Sequence, residues 1–214
     1  MVHVMTDHPS IVNDYLVELR NVEVQRDRMR FRKNLERIGE AIAYEISKTL
    51  IYEDVYVETQ FGLAETKRLK SQPVIGTILR AGIPLHQGFL NVFDHADSAF
   101  IGAYRKIKKN GEFEIHRDYI SKVNLDDKVL IVVDPMLSTG RSMVLACKEL
   151  MDQYKISALH IAAIVASEEG IAHVRAYLPH ARMWVGDIDS EITSKAYIVP
   201  GLGDAGDLAY GEKI

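Results

Sequence analysis

Three short stretches carry residue types suited to an anionic or flat ligand, and each directly follows an apolar run. The first is "VVDPMLSTGRSM" (132–143), where Asp134 ends the run and Ser138, Thr139, Gly140, Arg141 and Ser142 lead into a helical pattern. Backbone N–H groups of such a loop, with the helix N-terminus behind it, make a cradle for a phosphate. Ser138, Thr139 and Ser142 can add hydroxyl donors, Arg141 adds charge, and Asp134 can accept from sugar hydroxyls. It is not a Walker A loop, because G-x-x-x-x-G-K is absent. The alternative is an ordinary β–α turn, with Ser142 as N-cap and Gly140 supplying an unusual φ.

The second stretch is "ILRAGIPL" (78–85). Arg80 lies immediately past an apolar run, in a turn made permissive by Gly82, with Pro84 at the start of the next helix. Its guanidinium fork suits pyrophosphate; the alternative is a solvated turn arginine. The third is "AYIVPGLGDAGDLAYGEKI" (196–214), in which Gly201 to Gly206 spells G-x-G-x-x-G after Tyr197-Ile198-Val199. A dinucleotide turn needs a helix after its glycines and a further strand ending in an acidic residue about 20 residues on. Only eight residues follow Gly206, and no helix is expected there. What remains is a Gly-rich loop with Asp204 and Asp207, able to bring backbone groups close to a flat ligand. Pro200 and the alternation of glycine with aspartate favour a shaped turn over a loose tail.

The elements that must position these stretches are short β-branched runs alternating with helical patterns. Runs at 73–79, 98–105, 128–133, 158–165, 182–188 and 196–199 read as strands, and 83–93, 142–154 and 168–178 as helices. Before them, Phe31, Leu35, Ile38, Ile42 and Ile46 recur at helical spacing between Arg28 and Leu50. The strands are nearly uniformly apolar, as expected when helices cover both faces of a mostly parallel sheet. In such an open α/β sheet, ligands collect outside the carboxyl ends of the strands, where all three stretches lie. Asn110-Gly111, between extended segments of "RKIKKNGEFEIHRDYISK", predicts a projecting two-stranded arm, basic on one limb.

Composition agrees with a folded domain that has a sizeable core. The chain has 214 residues, 47% hydrophobic and 26% charged, with no linker-like or low-complexity segment, so one domain over 1–214 is expected. A net charge of −4 gives no global attraction to nucleic acid or anionic membrane. No apolar run approaches a membrane span, the N-terminus lacks a signal-peptide layout, and Cys147 is the single cysteine. A reduced, cytoplasmic setting follows as the expectation. Arg26, Arg28, Arg30, Arg32 and Lys33 crowd the start of the first long helix. They suit a solvated or subunit-facing surface better than an anion site.

With these motifs in hand, "VVDPMLSTGRS" resembles the phosphoribosyl-pyrophosphate (PRPP) motif of the phosphoribosyltransferases. Its Asp134-Pro135-Met136-Leu137 variant, together with "YIVPGLGDAGD", is similar to the uracil phosphoribosyltransferase pattern. "LRAG" (79–82) and "IGAYR" (101–105) fall where that family has two PRPP-binding arginines, and the likeness runs in order from about Val22 onward. The resemblance implies a type I phosphoribosyltransferase fold and transfer of ribose 5-phosphate from PRPP to N1 of uracil. By that likeness Arg80 and Arg105 hold pyrophosphate. Asp134, Pro135, Met136, Leu137, Ser138, Thr139, Gly140, Arg141 and Ser142 bind the ribose hydroxyls and 5-phosphate. Ile198, Gly203, Asp204 and Ala205 hold uracil, largely through the main chain, with Asp204 also reaching PRPP. Asp204, Arg105 and Asp134 are the candidate catalytic residues. Mg²⁺ is implied as a cofactor chelated mainly by PRPP, and GTP is a candidate effector. The projecting arm suggests a homodimer or higher homo-oligomer.

The chain departs from the family pattern at four places. Arg141 stands where a second glycine is usual, Leu208 where arginine is usual, Lys106-Ile107-Lys108-Lys109 where acids are usual, and Glu168-Glu169-Gly170 where Pro-Glu-Gly is usual. Two other functions stay open. One is a phosphoribosyltransferase-like regulator of pyrimidine genes, binding a nucleotide or RNA through the 26–33 and 105–109 basic stretches. The other is a transferase for a purine or orotate, although orotate calls for a cation where Leu208 stands.

Overall fold

The computed structural model describes residues 1–107, 113–121 and 123–212, with the side chains of 103–107 and 113–120 outside that description. The strands in chain order are β1 (Val2–Val4), β2 (Tyr52–Thr59), β3 (Gly62–Leu69), β4 (Val74–Leu79), β5 (Asp97–Ile107) and β6 (Phe113–Ile120). They continue with β7 (Val129–Val133), β8 (Met136–Leu137), β9 (Ala158–Ser167), β10 (Arg182–Asp189), β11 (Glu191–Ile192) and β12 (Ile198–Val199). The helices are α1 (Ile11–Arg20), α2 (Arg28–Ser47), α3 (Ile83–Val92), α4 (Arg141–Gln153), α5 (Glu168–Tyr177) and α6 (Ala205–Tyr210).

The main sheet runs β1-β10-β9-β7-β4-β5-β6, with β8 beside β9; every pairing in it is parallel except β5 with β6. Alternation within β7 shows why its residues are apolar throughout. Ile131 and Val133 enter a core with α2 and α3, while Leu130 and Val132 enter a second core with α4 and α5. Both faces are therefore dry. On α2, Phe31, Leu35, Ile38, Ile42 and Ile46 are all buried, each contributing about 1.5–3 kcal/mol by leaving water. Asp27 caps that helix by accepting from the Met29 and Arg30 N–H groups.

Order in the sheet also locates a crevice. From β4 the chain moves one way to β5, then returns to place β7 on the other side of β4. The connections leaving β4 and β7 part to opposite faces, through α3 and α4. A topological switch point of this kind opens a ligand cleft at the carboxyl ends of the two strands.

Two expectations need correction. The run 196–199 is not a strand of the main sheet: only Ile198–Val199 is extended, pairing antiparallel with β11. A helix does begin within the glycine stretch, since α6 starts at Ala205 and takes in Gly206. It is short enough to lack any apolar periodicity of its own. The detached hairpin β2–β3, together with β1 and α1, went unread. Most of the hairpin's residues are exposed, with Phe61 at its tip 93% so, and no buried face imposes an alternating pattern. The β5–β6 pairing supplies the two limbs of the expected arm, and Asn110-Gly111, expected as its turn, lies outside the described residues. Among the described residues no helix is long and apolar enough to cross a membrane.

Candidate active site

The loop after β7 is clamped by its backbone. Asp134 N–H donates to the Ala162 carbonyl at 3.1 Å, and the Pro135 carbonyl accepts from Ile164 and Val165 N–H, each at 3.0 Å. Met136 and Leu137 then add the two-residue strand beside β9. The carboxylate of Asp134, partly buried at the strand tip, lies 3.5 Å from the Met136 N–H. Gly140 lets the cradle close. It sits at φ 71° as the N-cap of α4, and a Cβ there would come 2.8 Å from the Gly170 carbonyl oxygen. Ser142 therefore does not cap α4, and no side chain does. The first-turn amides at Arg141, Ser142 and Met143 face the loop, since the ladder starts with Val144 N–H to the Gly140 carbonyl at 2.9 Å. Thr139 and Ser142 stay partly exposed, and Arg141 is exposed.

Ser138 behaves differently from its neighbours. It is only 8% exposed, and its hydroxyl donates to the Ala196 carbonyl at 2.7 Å. Its own carbonyl accepts from the Ser167 hydroxyl at 2.7 Å, and Ser167 in turn caps α5 at the Gly170 N–H, 2.9 Å.

Arg80 follows β4 across a cis peptide. Its Nη2 donates to Asp207 Oδ1 at 3.1 Å and to the Gly211 carbonyl at 3.3 Å. A Cβ on Gly82 would lie 3.1 Å from the Val133 carbonyl oxygen, so the Arg80 turn and the tip of β7 are in contact. Ala81 in turn lies beside Gly206 of α6. The three stretches singled out in the sequence thus meet at the switch point. Arg105 is placed by backbone only, on β5 next to β4; its side chain is outside the described residues.

The C-terminal loop is shaped by glycines at positive φ, 58° at Gly201 and 95° at Gly203, which side-chain-bearing residues rarely adopt. Ile198 and Ala205 are buried, whereas Gly203 is exposed. Asp204 caps α6, accepting from the Asp207 N–H at 3.0 Å. Leu208, in place of the usual arginine, packs onto the core and against Gly203, leaving no cation at that point. The other end of α6 rests on α2: Arg32 donates to the Ala209 carbonyl at 2.7 Å, a cation placed at a helix C-terminus. Arg26, Arg30 and Lys33 instead pair with Glu23, Glu18 and Glu36.

Sequence reading missed the residues that hold this loop. Arg20 grips Asp189 through two bonds of 2.9 and 3.0 Å, bonds Asp187 at 2.9 Å, and donates to the Gly201 carbonyl at 3.0 Å. Asp189 also accepts from the Gly201 N–H at 2.9 Å. Burial pulls the Arg20 pKa down, but the bonds and charges of Asp189 and Asp187 reverse this and leave it raised. The one available signal was Asp-Ile-Asp at the end of β10, which places two acids at a carboxyl end. His173, against the cradle, is lowered by burial first and then by the charges of Arg141 and Lys148, with Glu169 opposing.

An open, mostly parallel sheet with an acidic strand tip, a helix-backed loop and Arg80 meeting at its switch point is a frame that suits a phosphoribosyltransferase. More narrowly, the chain belongs to the uracil phosphoribosyltransferase family, whose model matches residues 5–212. It is 47% identical to a uracil phosphoribosyltransferase of Porphyromonas gingivalis, across 100% of this chain and 99% of that one. Identity is 38% to the enzyme of that name from Thermococcus gammatolerans, across 98% and 93%. The solved structure of the AQ2163 protein of Aquifex aeolicus superposes with a TM-score of 0.88 at 27% identity, covering 100% of both chains.

Proposed function

We propose that this chain, as one phosphoribosyltransferase unit over 1–214, transfers the phosphoribosyl group of PRPP to N1 of uracil, giving UMP and pyrophosphate. The observation that carries this is the meeting of the Arg80 turn, the 134–142 loop and the 198–207 loop at the switch point. Breaking the C1–pyrophosphate bond puts positive charge on the ribose and negative charge on the leaving group. Catalysis then consists chiefly of positioning and of stabilising the departing anion. Arg80 meets that anion by exchanging the Asp207 carboxylate for pyrophosphate oxygens, and Arg105 is assigned beside it. Amides of 139–143 receive the 5-phosphate, and Asp134 accepts from the ribose hydroxyls. Ile198 and Gly203 to Ala205 present main-chain donors and acceptors to the O2, N3 and O4 edge of uracil, which rejects the exocyclic amine of cytosine. Leu208 disfavours orotate.

Among the described residues no group of three or more His, Cys, Asp or Glu is arranged around an ion. The carboxylates at the mouth, Asp134 and Asp204, offer the hard oxygen donors that suit Mg²⁺, with most positions supplied by PRPP and water. Bound that way, the metal supplies charge neutralisation to the leaving pyrophosphate. The RNA-binding alternative is weakened by the match to the uracil phosphoribosyltransferase model over residues 5–212 and by the full-length likeness to proteins of that name. A homodimer or higher assembly in the cytoplasm remains our reading, supported by the exposed Tyr56, Phe61 and Leu63 of the β2–β3 hairpin.

Incubating the protein with PRPP, Mg²⁺ and each nucleobase tests the reaction: UMP should form, and only with uracil. RNA binding without UMP formation would replace the enzyme by the regulator. Asp204→Ala should abolish turnover while costing about 1 kcal/mol of stability through the lost cap. Near-normal turnover in that variant would refute the assigned pocket.

A further inference from the structure

We propose that the Ser138 hydroxyl is a positioning group for the uracil loop, coupling it to the phosphate cradle, and is not a phosphate donor. The proposal rests on the reaction given above. A serine hydroxyl has one hydrogen to donate, and here it is committed to the Ala196 carbonyl at 2.7 Å, in a residue 92% buried by its 8% exposure. Ser138 is also fixed from behind, since its carbonyl accepts from Ser167 at 2.7 Å. The hydroxyl therefore sits on a rigid base between the cradle amides on one side and Ala196 on the other.

Ala196 is a point where support matters. It lies at φ 61°, the left-handed region that costs a residue with a Cβ on the order of 1–2 kcal/mol. It closes the turn between β11 and β12 through Ala196 N–H to the Thr193 carbonyl, with Thr193 N–H bonded to the Tyr197 carbonyl, each at 2.8 Å. Two residues further on, buried Ile198 begins the loop assigned to uracil. A continuous line thus runs from the phosphate amides through Ser138 and the strained turn to the base pocket. Thr139 and Ser142, which keep partial exposure, are the hydroxyls left for the phosphate.

Steady-state kinetics separate this role from a direct phosphate contact. Ser138→Ala removes one buried oxygen and orphans the Ala196 carbonyl. A net hydrogen bond of about 0.5–1.5 kcal/mol corresponds to a rise in the uracil KM of roughly two- to twelvefold. The PRPP KM should stay within about twofold, a split that general loosening of the fold would not produce. Ser138→Thr, which retains the hydroxyl, should recover most of the uracil KM. A rise confined to PRPP, an equal rise for both substrates, or no rise at all would overturn the coupling. Wild-type protein that makes no UMP would instead sink the reaction itself, so the two failures are distinguishable.

Discussion

The phosphate cradle and the base loop serve neighbouring parts of one substrate pair, yet the cradle leans on one adjoining strand and the base loop on several distant elements. Asp134 to Ser142 is delivered by one strand and received by one helix, Gly140 makes the bend at φ 71°, and its main outside supports come from a single neighbouring strand, β9. The base loop is contiguous only in name. Arg20 and Asp189 hold Gly201, Ser138 holds Ala196, Arg80 reaches Asp207, and Arg32 reaches Ala209. A phosphate needs amides at a helix end, which any β–α turn can furnish locally. A flat, nearly neutral base needs a rim of main-chain groups fixed in space, and a glycine-rich rim has to be held from outside.

Removing an outside support should therefore have the largest effect. Asp189→Ala leaves the partly buried Arg20 short of its main partner and Gly201 without an acceptor. A stability loss of about 3 kcal/mol is expected in equilibrium urea unfolding, with the uracil KM rising more than the PRPP KM. A loss under about 1 kcal/mol would show that the loop holds itself and would break the contrast. Next comes the cradle. Gly140→Ala forces a Cβ into the left-handed region and toward the Gly170 carbonyl, costing about 1–2 kcal/mol. It should raise the PRPP KM at least tenfold (about 1.4 kcal/mol) and spare uracil; a PRPP KM within twofold of the parent would contradict local construction. The smallest effect belongs to the pair that joins the Arg80 turn to α6. Arg80 and Asp207 are 39% and 30% exposed, so their pair is worth under about 1 kcal/mol. Asp207→Asn should move the PRPP KM less than threefold, and a tenfold change would make this pair a principal support instead of an exchangeable one.

How far each region could be read beforehand follows the same division. Periodicity marked α2 because Phe31, Leu35, Ile38, Ile42 and Ile46 all face one core. Unbroken apolar runs marked β4, β7, β9 and β10 because helices cover both sides. The hairpin β2–β3 escaped because its faces are mostly solvated, and α6 escaped because six residues are too few to display a period. The basic cluster at 26–33 read as a solvated or subunit-facing surface, which does not foretell the contact of Arg32 with α6. Its members divide between surface ion pairs and the carbonyl end of α6, a helix more than 170 residues away in the chain.

By itself the sequence determined the parallel α/β sheet, the position of the cradle at the end of an apolar strand, and the glycines and aspartates of the terminal loop. Each of these depends on side chains within a turn or two of one another, where local sterics and burial period decide the outcome. Only the tertiary structure decided that Asp207 holds Arg80, that Arg20 and Asp189 clamp Gly201, and that Ser138 turns away from the cradle toward Ala196. Those pairings join residues far apart in the chain. Their directions are set by how the sheet and helices pack, and no local spacing encodes that.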